Sequence, residues 1–96
     1  MMADLKELRS RIDEIDEEIV RLFQERMDVA VEIGQHKQEN GLPVFDPARE
    51  REKLHALSGQ AKKGREADIT ALYSLIFELS RAAQERVVCP EAFRQI

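Results

Sequence analysis

The chain is short of nearly everything that marks secreted, metal-bound, all-β or membrane-spanning proteins. It has 1 cysteine, Cys89, so no disulfide can form within the chain and a thiolate zinc site lacks its ligands. Tryptophan is absent, aromatics make up 5%, and only 4 glycines and 3 prolines punctuate 96 residues. So few turn formers exclude collagen-like, low-complexity and all-β classes. Excess positive charge is missing too: 15 Lys and Arg stand against 19 Asp and Glu, a net −4. That balance leaves no electrostatic footprint for nucleic acid. Apolar runs are only a few residues long, so no membrane span is expected. Asp4 and Glu7 interrupt the start of the chain before any apolar signal segment could form. The expectation is a cytoplasmic protein with no metal and no cofactor.

What is present reads as helix. Hydrophobic residues are 43% and charged residues 35%, a normal apolar content with a large solvated face. The length suits one domain, residues 1–96. Leu5, Leu8, Ile12, Ile15, Ile19, Leu22, Arg26, Val29 and Ile33 recur at alternating steps of three and four, a heptad seam. Asp4, with Glu7 three residues on, has capping-box spacing, and Gly41 is a stop. The spacing predicts a helix over 4–39, roughly 54 Å long at the standard rise. Gly34 inside it costs about 1 kcal/mol relative to alanine, which points to a close backbone approach. Asp46-Pro47 opens a second helix, 47–61, as cap and first residue. Asp68 caps a third, 68–88, which Pro90 ends.

The first helix is too long for two shorter helices to cover. A bare apolar seam in water is an aggregation hazard, and a second copy of the same seam removes it. The expected fold is therefore all-α, three helices per chain, in an intertwined antiparallel homodimer. A monomeric coiled-coil hairpin is the simpler alternative.

Polar residues on the apolar stripes are the informative ones. Arg26 and Lys37 lie on one side of the first helix, eleven apart. Glu50, four before Leu54, lies on the inner face of the second, with Arg49 beside it. Ser80 and Gln84, four apart, lie on the third. Each alone reads as an ordinary structural residue: a snorkelling arginine, an internal ion pair in which Glu50 answers Arg49, Arg26 or Lys37, or a serine bonded back to its helix. Together they carry more cations than anions, and buried positive excess needs an external anion. The inference is a water-poor pocket for a small anion with more than one negative group, since the planar fork of Arg suits carboxylates. His36 and His55 lack metal-ligand spacing, and no nucleophile-base constellation or glycine-rich phosphate loop occurs. Any catalysis must come from holding a conformation and stabilising developing charge.

These residues, in order, resemble the AroQ-type, all-helical chorismate mutases. The likeness runs from about Leu5 to Val87. It rests on Leu8-Arg9, Ile12 and Ile15-Asp16; Glu25-Arg26; Val31-Glu32-Ile33-Gly34 with Lys37; Pro43-Val44 with Asp46; Arg49-Glu50-Arg51; and Ser80 with Gln84. The resemblance implies an isomerase that rearranges the dicarboxylate chorismate to prephenate, on the route to phenylalanine and tyrosine. It implies that Arg26 binds a substrate carboxylate and that Arg9 clamps one from the partner chain. Lys37 and Gln84 would donate to the ether oxygen. Glu50 and the main chain at Asp46 would hold the ring hydroxyl, with Ser80 and Arg49 lining the pocket. Helix geometry agrees about Arg9: it lies 28 positions from Lys37, roughly 42 Å along the helix. Only an antiparallel second chain could bring such a residue to the site. The alternatives are an isochorismate-pyruvate lyase of the same fold and a non-enzymatic helical dimerisation module.

Overall fold

A computed structural model describes residues 4–89. Three helices form: α1, Leu5–Asn40; α2, Pro47–Gly59; and α3, Glu66–Val88. No strand occurs among the described residues.

Each boundary has a local cause. The Asp4 carboxylate accepts the Glu7 N–H at 2.8 Å, satisfying one of the donors that open α1. Gly41 closes it at φ 64°, a left-handed conformation that glycine adopts without steric cost, and its N–H returns to the Lys37 carbonyl. Asp46 caps α2 by accepting the Arg49 N–H at 3.1 Å, with Pro47 at the first helical position. Two boundaries differ from the sequence expectation. α2 stops at Gly59 instead of residue 61, its end closed by the Gln60 N–H on the Leu57 and Ser58 carbonyls. α3 begins at Glu66, two residues before the expected Asp68 cap. Arg65 stands at the cap position without a side-chain bond, and the Glu66 carboxylate instead accepts the Gly64 N–H at 2.9 Å. Glu66 and Asp68 then share the first turn, where the helix dipole favours acids. Pro90, the expected stop, lies outside the described residues.

α3 packs on both other helices, and α1 and α2 do not pack on each other. The buried set is Ala30 and Gly34 of α1, Val44 of the connecting loop, and Phe77, Ser80, Ala83 and Gln84 of α3. The core thus sits between the C-terminal halves of α1 and α3. The N-terminal half of α1 projects beyond it. Leu5, Leu8, Ile12, Ile15, Ile19 and Leu22 are all exposed, Ile12 and Ile19 at 56% and 57%. Leu72, Leu75 and Leu79 form a second exposed apolar row on α3. The radius of gyration, 17.2 Å, exceeds the roughly 12–13 Å of a compact chain of this length.

Gly34 marks the tightest helix crossing. A Cβ there would stand 3.0 Å from the Cα of Gln84 and 3.4 Å from its Cβ and Cγ. The nearest atom is backbone, so it cannot swing aside. Gly34→Ala gains about 1 kcal/mol of helix propensity but forces the helices apart, an overpacking cost of about 1–3 kcal/mol. The expected result is a lower melting temperature in a thermal scan and a displaced Gln84. A variant melting above the parent would show that the helices separate without cost.

Candidate active site

A cavity of about 530 Å³ opens where the three helices and the 41–46 loop converge. That volume is within the usual range for small-molecule sites. α1 contributes Arg26, Val29, Ala30, Ile33 and Lys37; the loop contributes Val44 and Asp46. α2 contributes Arg49, Glu50 and Lys53, and α3 Phe77, Ser80, Arg81 and Gln84. Five cations therefore face two carboxylates.

How those cations are held matters more than their number. Arg26 donates from Nη1 to the Ser80 hydroxyl at 2.7 Å, and its guanidinium carbon lies 5.8 Å from the centre of the Phe77 ring. Lys37 donates from Nζ to the Val44 carbonyl at 2.7 Å. Both acceptors are neutral. Hydrogen bonding fixes the two side chains in place while leaving their charge uncancelled. Lys37 reaches Val44 because Gly41 reverses the chain directly after α1, folding the loop back over its last turn. Gln84 is 7% exposed and its Oε1 is buried without a donor. An amide oxygen buried without a donor costs about 1–3 kcal/mol.

The carboxylates are committed elsewhere. Asp46 caps α2. Glu50 meets Arg81, whose Nη1 lies 2.5 Å from Oε1 and 2.6 Å from Oε2. None of the three partners expected for Glu50 is the one it takes. Ser80 likewise serves as acceptor for Arg26 across the helix interface.

Seven of the eight site residues expected from sequence line this cavity: Lys37, Gln84, Arg26, Asp46, Arg49, Glu50 and Ser80. Arg9 does not. It stands exposed on the projecting half of α1. Sequence reasoning overlooked Arg81 and Lys53. Arg81 follows Phe77 by four and Lys53 follows Glu50 by three, so both spacings were legible, yet a charged residue beside a stripe reads by default as solvated. His36 and His55 are exposed, and no group of metal-ligating side chains occurs among the described residues. Away from the cavity, on α1, the Arg21 guanidinium bonds Glu18 at 2.8 Å; it holds that carboxyl below its usual range, and Arg21 is raised in turn.

Fold and site together define an all-α protein with a cavity lined by five cations and two carboxylates. The comparisons make the class specific. The family profile described as chorismate mutase type II matches residues 8–85, and this chain belongs to that family. It is 41% identical over 69 residues to the T-protein of Haemophilus influenzae, which covers 71% of the chain and 18% of that protein. It is 55% identical over 51 residues to a bifunctional chorismate mutase/prephenate dehydratase of Aquifex aeolicus, covering 53% of the chain and 14% of that protein. The chain thus spans less than a fifth of the length of these two relatives. Among solved structures it is similar to chorismate mutase (form II) from Thermus thermophilus, at TM-score 0.82 and 36% identity, covering 85% of this chain and 94% of that one. A second is chorismate mutase from Helicobacter pylori in complex with prephenate, at TM-score 0.77 and 36% identity, covering 88% and 92%.

No described helix is long and apolar enough to cross a membrane.

Proposed function

We propose that residues 1–96 act as a single chorismate mutase domain, rearranging chorismate to prephenate without cofactor or metal. The observation that carries this reading is that Arg26 and Lys37, each bonded to a neutral acceptor, share one cavity with the Gln84 amide. Cations left uncancelled in this way suit an anion, and chorismate brings two carboxylates.

The working form is an antiparallel, intertwined homodimer. The exposed row from Leu5 to Leu22 supports it, because pairing that row with its copy removes it from water. Pairing also carries the partner subunit's Arg9 toward this cavity, where it clamps a carboxylate. Arg26 binds a carboxylate from within the chain. Glu50 and the main chain at Asp46 hold the ring hydroxyl, while Ser80 and Arg49 complete the wall. The lone thiol suits a cytoplasmic setting.

The reaction is internal to one molecule: the ether C–O bond breaks as a C–C bond forms, and no proton or electron is exchanged with the protein. Restricting the side arm over the ring supplies part of the rate. The rest comes from charge. The C–O bond breaks ahead of C–C formation, so negative charge grows on the ether oxygen, where Lys37 and Gln84 donate.

Incubating the protein with chorismate, and separately with isochorismate, tests the reading. Prephenate from chorismate is expected. Pyruvate released faster from isochorismate would make the chain a lyase, and silence on both substrates would make it a dimerisation module.

A further result concerns pH. The Gln84 amide donates at any pH, so its contribution does not vary between pH 6 and 8. In Gln84→Glu the carboxyl must be protonated to donate. Activity is then expected to persist in acid and fall as pH rises through the carboxyl's titration. A flat profile for that variant would remove Gln84 from the reacting atoms.

A further inference from the structure

Arg81 has no role in the proposed reaction as described so far, yet it is the best-anchored cation of the cavity. It rises from α3 between Ser80 and the turn bearing Gln84. Its Nη1 contacts both oxygens of Glu50 on α2, and its guanidinium carbon stands 5.1 Å from the centre of the Phe45 ring. The two side chains are 33% and 25% exposed, so the pair is partly withdrawn from water. Glu50 and Arg81, together with Phe77, line both the main cavity and a smaller one of about 310 Å³ that Phe45 also lines.

Glu50 without Arg81 would be an unpaired carboxylate inside a cluster of cations. Lys53 stands three residues on along α2, Arg49 beside it, and Arg26 and Lys37 line the same cavity. A carboxylate so placed pairs with whichever cation it reaches and neutralises a charge meant for the guest. Asp46, the cavity's other acid, is kept out of such pairing by its cap on α2. Each carboxylate in the wall thus has a dedicated partner, and Arg26 and Lys37 have neutral ones, while Arg49 lies 3.8 Å from Glu52, which does not line the cavity.

We propose that Arg81 is a positioning residue: by locking Glu50 between itself and α2, it keeps the cavity's carboxylate from cancelling Arg26 and Lys37, and aims the free lone pairs of Glu50 at the guest. Each carboxylate oxygen retains a lone pair when one is engaged, so the locked group can still accept from a ring hydroxyl. The proposal rests on the chorismate mutase reading.

A double-mutant cycle separates this role from a direct or merely structural one. Prephenate binding by titration calorimetry, with KM and kcat on chorismate, is compared across the parent, Arg81→Met, Arg81→Lys, Glu50→Gln, and Arg81→Met combined with Glu50→Gln. Arg81→Met is expected to weaken prephenate binding about tenfold and to raise KM more than it lowers kcat. Arg81→Lys keeps the charge and is expected to retain most of the affinity. In the combined variant the stray carboxylate is gone, and affinity should return to within about threefold of Glu50→Gln alone. Parent-like binding by Arg81→Met overturns the proposal. So does a combined variant as weak as Arg81→Met, which would mean that Arg81 acts on the guest itself. If Arg81→Met does not fold, the combined variant decides: failure there too makes Arg81 structural. A parent protein that neither binds prephenate nor consumes chorismate sinks the activity reading instead, a result distinct from a normal parent with no coupling.

Discussion

Lys37→Ala is expected to lower kcat/KM for chorismate by on the order of 10²–10³, the usual loss when one preorganised donor to a developing oxyanion is removed. The side chain is half-buried and already fixed, its Nζ 2.7 Å from the Val44 carbonyl, so in the proposed reaction it need not reorganise as charge grows. Two effects on stability oppose each other. Losing the bond to Val44 costs about 1.5–3 kcal/mol, and removing one of several mutually repelling cations returns part of it. The melting temperature should therefore move little while activity collapses. Steady-state kinetics paired with a thermal scan checks this. A large fall in melting temperature with activity retained in the folded fraction would make Lys37 a strut for the 41–46 loop.

The second large effect concerns Arg9. Arg9→Ala is expected to disable a cavity that Arg9 does not touch within its own chain, and mixing two dead proteins should restore activity. If Arg9→Ala and Lys37→Ala dimers exchange subunits, a mixed dimer holds one intact composite site and one doubly damaged site. Random exchange makes half of the dimers mixed, so about a quarter of the parent activity should return. Exchange itself is followed by mass spectrometry of differently labelled subunits. Proven exchange without recovery would show that each chain supplies its own complete site. A monomer by sedimentation would do the same, and would leave the apolar row from Leu5 to Leu22 unexplained.

The helices were legible because their signals are local. Asp4, Gly41 and Asp46-Pro47 mark boundaries through the hydrogen bonds and φ angles of their own few residues. The end of α2, at Gly59 instead of residue 61, and the start of α3 are the exceptions; at the latter two acids compete, Asp68 having cap chemistry while Glu66 reaches back to Gly64 and opens the helix earlier. The close approach at Gly34 was also legible, since an unfavourable residue in mid-helix demands a reason, though not which atoms it admits.

By itself, the sequence determined three helices, a seam too long for one chain, and a set of polar residues facing inward with surplus positive charge. Periodicity and capping act over a few residues, and composition fixes the charge. Which cation meets which acceptor was decided only by tertiary structure. Arg26 with Ser80 is a pairing across 54 residues and Glu50 with Arg81 one across 31, and partners so far apart in the chain are chosen by how α3 seats between α1 and α2. A pattern along one helix shows which way a side chain points. It carries no record of what will be standing opposite.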